Sequence, residues 1–452
     1  MEHSPNIKIQ LPQKVSQIIH TLNAAGYEAY AVGGCVRDSM IGRIPSDWDI
    51  TTIATPLQVK ECFHRTVDTG IEHGTVTVLL GKEGFEVTTY RIDGKYKDAR
   101  HPDQVTFTPS LEEDLKRRDF TINAMAYHEQ VGLVDLFGGR EDIVRKTIRC
   151  VGDPAQRFSE DALRMLRAIR FCAQLGYLPE ARTKEAIHTY APLLSRISQE
   201  RIRDELQKMI LSPHPEYLRI AYETGLTAIF FPQWDQAMNT PQNHIHHRFG
   251  VGEHILEAMR VSKPTKEVRL ALLLHDIGKP ASMTIASDQT THFKGHEDIS
   301  AKMAQSILRN FRYDNQTIHT VCRLIAYHDY CKGVTITPAF IRKMVYRVGV
   351  TDIPDLFSVM EADIMAQSDY MRSQKLDALQ EIKQIFAQIL EQGVCVSKEQ
   401  LALNGRDLIA MGLQPGRRIG EVLEQLMEYV LEHPEENTKL QLSKIVKTIH
   451  NI

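Results

Sequence analysis

Residues 31–52 read AVGGCVRDSMIGRIPSDWDITT, and this segment sets the architecture of the first part of the chain. Its apolar start predicts a strand, Gly33-Gly34 a turn, and Arg37 and Asp38 lie on the helix expected to follow. A glycine pair lets backbone N–H groups come close to a polyphosphate, and the N-terminus of the following helix adds a favourable dipole. SDWDI reads as a second strand, in which Asp47 and Asp49 stand two residues apart and so share a face. Hard oxygen donors at that spacing suit Mg²⁺, whose other positions are filled by water and substrate phosphates. Two such ions ~4 Å apart can activate an attacking hydroxyl and stabilise a leaving pyrophosphate. Taken alone, the glycine pair is equally an ordinary turn and the aspartate pair an exposed polar one.

Outward from this segment, EAYAVGG, TVTVLLG and FEVTTYRI add Val-, Ile-, Thr- and Tyr-rich strands up to about residue 150. From about Ser159 the period changes to three and four, as in SEDALRMLRAIRFCAQLGY and RDELQKMILS, and helices are expected to the C-terminus. The fold class is therefore α+β, a mixed head followed by helical modules. Polar, turn-forming breaks at 232–247 and near 392–398 mark boundaries. The division read from them is 1–150, 151–240, 241–375 and 376–452.

The 452 residues exceed one ordinary core, and 42% hydrophobic with 25% charged residues is a globular composition. A net charge of −3 means that any nucleic-acid contact comes from local basic patches rather than a global field. Seven scattered cysteines, with no CxxC pair, argue against a disulfide framework or zinc ribbon and fit a reducing cytoplasm. The first twenty residues lack a signal-peptide core, and no apolar run is long enough to span a bilayer, so neither secretion nor membrane insertion is expected. The sequence carries no signal of oligomeric state.

GGCVRD with DWDI, then RRDFTINAMA at 117–126, DLFGG at 135–139 and EDALRMLRAIRF at 160–171, with SQERIRDEL at 198–206, follow one another in order. This series resembles the motifs of the class II CCA-adding tRNA nucleotidyltransferases and bacterial poly(A) polymerases. The resemblance implies a polymerase-β-like head on a helical neck and body. It makes Asp47 and Asp49 the catalytic Mg²⁺ ligands and Gly34 and Arg37 triphosphate contacts. Arg118, Asp119 and Asn123 would lie near ribose and triphosphate, where guanidinium and amide groups meet phosphate oxygens and hydroxyls. Asp135 and Gly138-Gly139 look structural, and Glu86 is a further acidic candidate.

Asp161, Arg164 and Arg167 recur at a spacing of three, giving one helical face. Alone, that face is a solvated ion-pair ladder. The resemblance makes Asp161 and Arg164 readers of the incoming base, with Arg167 and Arg170 in support. A carboxylate accepts from the exocyclic amine of C or A, and guanidinium donors meet a ring nitrogen or carbonyl, so CTP and ATP can be chosen without a template.

Farther on, LALLLHDIGKP at 270–280 places His275-Asp276 at the end of an apolar helix, between His254 and the later His296, His328 and Asp363. Dispersed His and Asp converge on a metal when helices bundle. The order resembles the HD phosphohydrolase domain, with His254, His275, Asp276 and Asp363 as its metal quartet, Lys279 beside it, and a divalent ion of unspecified identity. Such a site would hydrolyse a 2′,3′-cyclic phosphate or 3′-phosphate at an RNA end. The His-rich segment before His254 leaves the parts of His246 and His247 open. In the tail, Gly405-Arg406-Asp407 and Pro415-Gly416-Arg417-Arg418 suit RNA phosphates, and similar tails in this family bind the tRNA elbow.

Together these readings imply addition of CCA to a tRNA 3′ end from CTP and ATP. The segment 91–107 resembles the flexible loop of full CCA-adding enzymes, although His101 stands where many relatives carry Arg. A poly(A) polymerase or an A-only or CC-only adder shares the same motifs. An RNA-binding scaffold in which only the HD hydrolase works is the reading from a different class.

Overall fold

A computed structural model of the protein describes residues 3–4, 8–94, 105–331 and 333–450. The described chain packs as two compact units, 1–232 and 233–452, and the division falls inside the break expected at 232–247. The break near 392–398 separates no such unit. It is a loop after the helix Arg372–Glu391 that leads into a separate apolar cluster of the tail, around Leu408, Leu426, Met427 and Leu442.

The head contains strands β1 (His3–Ser4), β2 (Ala29–Val32), β3 (Asp49–Thr52), β4 (Thr66–Gly70), β5 (Thr75–Leu80), β6 (Glu83–Thr89), β7 (Arg91–Asp93), β8 (Val105–Phe107), β9 (Met125–His128) and β10 (Gly132–Asp135). Eight of them form one sheet in the order β1-β10-β9-β2-β3-β6-β5-β4. All its pairings are antiparallel except β3 with β6. Strand alternation sorts the side chains: Ala29, Ala31 and Ile50 pack with Ile18 and Leu22 of the amphipathic helix Gln13–Ala24, whereas Tyr30 and Val32 join Tyr90, Leu115 and Ala126 on the other side. Asp49 and Thr51 therefore project to the face opposite Ile50. The remaining pair, β7 with β8, closes the two ends of the segment read as a flexible loop. Most of that segment, 95–104 with His101, lies outside the described residues.

Among the described residues after 138, strands occur only as two short pairs, 147–148 with 178–179 and 284–285 with 291–292, and the rest is mainly helical. No helix among the described residues is long and apolar enough to cross a membrane. All seven cysteines are unpaired.

Two local expectations are corrected. β3 starts at Asp49, so Asp47 lies in the extended lead-in rather than on the strand. The segment 159–177 is two helices, Pro154–Glu160 and Leu163–Leu175, parted at Asp161. There the aspartate side chain accepts from the Leu163 N–H at 3.0 Å, a local bond that competes with continuing the helix.

Asp135 accepts from the backbone N–H groups of Gly139 and Arg140, both at 2.8 Å, and so caps the helix Gly139–Val144. A Cβ on Gly139 would stand 2.3 Å from the Thr121 carbonyl oxygen. Gly139→Ala is therefore expected to destabilise the first unit by about 1–3 kcal/mol, the usual cost of overpacking. Denaturant unfolding checks this, and an unchanged midpoint would contradict it.

Candidate active site

The turn between β2 and the helix Gly34–Met40 uses a positive φ of 86° at Gly33, where the chain passes close beneath Arg118. A Cβ at that position would meet the Arg118 guanidinium at 3.1 Å, so glycine provides the clearance as well as the angle. Arg37, on the short helix, is buried. It donates to Asp38 and, at 2.6 Å, to the Asn123 side-chain oxygen.

Asp49 opens to solvent yet is closely surrounded by protein. Burial first, then the neighbouring charges of Asp47 and Glu86, push its carboxyl up to about 6 against the opposing pull of Arg118. The charges of Asp47 and Glu86 both act on Asp49. Their repulsion is what a bound cation relieves, and an all-carboxylate donor set suits a hard divalent ion.

From the Asn123 amide the network continues inward. Asn123 donates to Asp119 at 3.4 Å, and Asp119 accepts the Phe120 N–H at 2.8 Å and two bonds from Arg167 at 2.9 and 2.6 Å. Arg170 pairs with the buried Glu205 and stacks its guanidinium 3.9 Å above the Phe171 ring, a ring that Arg37 also faces. At the far end Arg164 meets Glu160 at 2.6 Å and the Arg117 carbonyl at 3.4 Å, while Asp161 accepts from Arg201 at 2.8 Å.

Of the expected residues, Arg37, Asn123, Asp119 and Arg167 are joined by direct hydrogen bonds, Arg167 approaches the Glu205 that pairs with Arg170, and Asp161 and Arg164 pair instead with Arg201 and Glu160. Glu160, Arg201 and Glu205 were not singled out from sequence. Arg201 and Glu205 stand four apart in SQERIRDEL, a spacing that puts both on one helical face, and this was the available signal.

In the second unit, His254 Nε2 lies 2.8 Å from Asp363 and 3.3 Å from His275 Nε2, and Asp276 stands 3.3 Å from His275 and 3.2 Å from His296. The Nδ1 atoms of His275, His296 and His328 each face a backbone carbonyl at 2.7–2.9 Å. That contact suits Nδ1 as donor and turns each Nε2 toward the inside of the cluster, where those of His275 and His296 meet Asp276. Asp276 is 1% exposed, and neither of its oxygens accepts a well-formed hydrogen bond. Burial opposes its ionisation, but His275 and Lys279 outweigh burial and hold the carboxyl well below its ordinary range. His254, His275 and Asp363 form one candidate metal group, and His275, Asp276 and His328 another. Of the two undecided histidines, His247 packs edge-to-face on His254 with ring centroids 5.7 Å apart, whereas His246 turns toward Tyr370 and Lys375.

Comparison with known proteins gives three family matches. Residues 29–149 match the "Poly A polymerase head domain", 176–238 the "RNA and SrmB- binding site of polymerase A", and 291–446 "tRNA nucleotidyltransferase domain 2". The CCA-adding enzyme of Lactobacillus helveticus is 35% identical over 439 residues, covering 96% of this chain and 97% of its own. The chain belongs to the CCA-adding enzyme family. A second member, from Levilactobacillus brevis, is 36% identical over 440 residues, covering 97% of each chain. The crystal structure of the Bacillus stearothermophilus CCA-adding enzyme in complex with CTP superposes with a TM-score of 0.72 at 31% identity, covering 98% of each chain. The CCA-adding enzyme of Thermotoga maritima, complexed with tRNA, shares the fold with a TM-score of 0.58 at 20% identity. The α+β head with helical remainder is thus that of CCA-adding enzymes. The third match, 291–446, runs across the boundary placed at 375/376 from sequence.

Asp119 provides a test of the network. Burial alone would raise its pKa, but Arg167 and the hydrogen bonds from Arg167 and the Phe120 N–H outweigh burial and hold it at about 2. A carboxyl depressed in the folded state stabilises the fold fully above its unfolded pKa and loses that contribution as pH falls toward the folded value. The stability difference between wild type and Asp119→Asn in urea unfolding should therefore shrink between about pH 5 and pH 3. A difference constant over that range would contradict the ion pair.

Proposed function

We propose that this CCA-adding enzyme builds C, C and A onto the 3′ end of tRNA from CTP and ATP, releasing pyrophosphate at each step. The observation that supports the reading is the unbroken run of paired side chains from Arg37 through Asn123 and Asp119 to Arg167, which joins the glycine-turn helix to the neck helix that carries Arg164. The 3′-hydroxyl oxygen forms the new bond to the α-phosphorus while the bond to the β-phosphate bridge breaks. Asp47 and Asp49 would hold Mg²⁺, which when bound supplies charge for the attacking and leaving oxygens. Arg37 and Arg118 contribute guanidinium donors toward the triphosphate, and Gly33-Gly34 lets it approach the backbone.

Base choice falls to Asp161 and Arg164. Ion pairs with Arg201 and Glu160 orient these two groups. The carboxylate accepts from the amine that C and A share and that G and U do not offer on that edge. Arg406, Arg417 and Arg418 in the tail are assigned to tRNA phosphates. A cytoplasmic location fits the seven unpaired cysteines.

A second activity is proposed for the buried His–Asp cluster: metal-assisted hydrolysis of a phosphate ester at an RNA end. The convergence of His254, His275, His328, Asp276 and Asp363 in two overlapping donor groups supports it.

Purified protein with Mg²⁺ and tRNA transcripts lacking the last three nucleotides, lacking only the terminal A, or complete should add CCA and then stop. Asp47→Ala and Asp49→Ala should each lose at least ~10³-fold in rate, as expected when a metal ligand of the transferring site is removed. Addition of C alone, A alone or unlimited A would replace this reading with that of the matching relative. For the second activity, Asp276→Ala should lose bound transition metal measured by elemental analysis together with phosphoesterase activity, while retaining CCA addition. Retention of both metal and hydrolysis would refute it.

A further inference from the structure

Asp114, on the Ser110-capped helix Leu111–Lys116, has no part in the chemistry derived above, yet its side chain is fully buried beneath the catalytic strand. Its Oδ1 accepts two bonds from Arg117, at 3.0 and 2.7 Å, and the backbone N–H of Arg91 at 3.4 Å. Its Oδ2 accepts from the Thr51 hydroxyl at 3.1 Å and from Arg118 at 3.4 Å. Thr51 is two residues beyond Asp49 on β3, and so on the same face. One carboxylate thus joins the catalytic strand, the root of the 91–107 hairpin and the arginine that lies over the glycine turn. Burial would raise its pKa, but Arg117 and Arg118 outweigh burial and keep it lowered, so the charge persists at working pH.

The consequence lies in what Arg118 does between two acids. It is the positive group that acts most strongly on Asp49, and its buried Nε has no hydrogen-bond partner. Without a competing anion, that guanidinium would close on Asp49 and neutralise the carboxylate that has to hold a cation. A buried carboxylate on its other side draws it back, and being buried is weakly screened.

We infer that Asp114 is a positioning residue for nucleotidyl transfer, holding Arg118 off Asp49 so that Asp49 keeps its metal site and Arg118 keeps its triphosphate contact. The inference rests on the nucleotidyltransferase reading. Asp114→Asn removes the competing charge at nearly constant shape. The concentration of Mg²⁺ giving half-maximal addition should rise ~10-fold, with a parallel rise in KM for CTP and ATP and a smaller change in kcat. In the Arg118→Ala background the same substitution should shift the Mg²⁺ requirement by less than ~2-fold, because the group through which it acts is gone.

Mg²⁺ binding is also read without turnover, from the fluorescence of Trp48 between the two aspartates, with Trp48→Phe as the control for Trp234. Thr51→Val, which removes one hydroxyl and no charge, should shift binding in the same direction by a smaller factor, and it decides the matter if Asp114→Asn does not fold. A Mg²⁺ requirement unchanged in the soluble variant, or raised equally with and without Arg118, overturns the inference. Failure of the wild type to extend tRNA would instead defeat the functional reading beneath it.

Discussion

The ion pair between Asp119 and Arg167 is the interaction on which the first unit depends. Both groups come from motifs that bear the chemistry, one from the segment closing the head and the other from the neck helix, and Asp119 is only 8% exposed. A buried charge that loses its partner costs several kcal/mol, so this contact ties the relative placement of two motifs 48 residues apart to the stability of the fold. On one side Asp119 receives Asn123 and, through it, Arg37. On the other, Arg167 approaches Glu205, which orients Arg170 over Phe171. Arg37, Asn123, Asp119, Arg167, Glu205 and Arg170 are therefore members of one polar lattice. Such a lattice is expensive if half satisfied and rigid when complete.

Rigidity has a functional meaning here. An enzyme that selects a base with protein side chains has no complementary strand to enforce geometry, so the carboxylate and guanidinium have to be ordered beforehand. The pairing of Asp161 with Arg201 and of Arg164 with Glu160 provides that order, and each pairing leaves further donor or acceptor capacity for a nucleotide edge. In the second unit backbone carbonyls likewise orient the rings of His275, His296 and His328. In both units the candidate groups are held in place by neighbours supplied from other parts of the chain.

How far this was legible in the sequence follows from that layering. The candidate site groups fall in short local patterns, and GGCVRD, DWDI, RRDFTIN, EDALR and HD were each readable with their residues in hand. The strand-rich head and the switch to helical period near Ser159 were legible for the same reason, since periodicity is local. The second layer was not. Asp114 with Thr51, Glu205 with Arg170, and Arg201 with Asp161 are pairings across many residues that no spacing announces. Element boundaries also departed from pattern where a side chain competed with the backbone: Asp161 ends one helix and caps the next, and β3 begins at Asp49 because pairing with Val32 starts there. His247 could not be separated from His246 by sequence, because only the fold turns one ring toward His254 and the other toward Tyr370.

The central claim is that this chain itself, before any RNA arrives, carries the discrimination among nucleotides. Calorimetric titration of the RNA-free protein with each of the four nucleoside triphosphates in Mg²⁺ addresses it most directly, with Asp161→Ala in parallel. CTP and ATP are expected to bind at least ~10-fold more tightly than UTP and GTP, equivalent to about 1.4 kcal/mol, and the preference should vanish in Asp161→Ala. Equal affinity of the wild type for all four nucleotides, or a preference untouched by loss of Asp161, would contradict it.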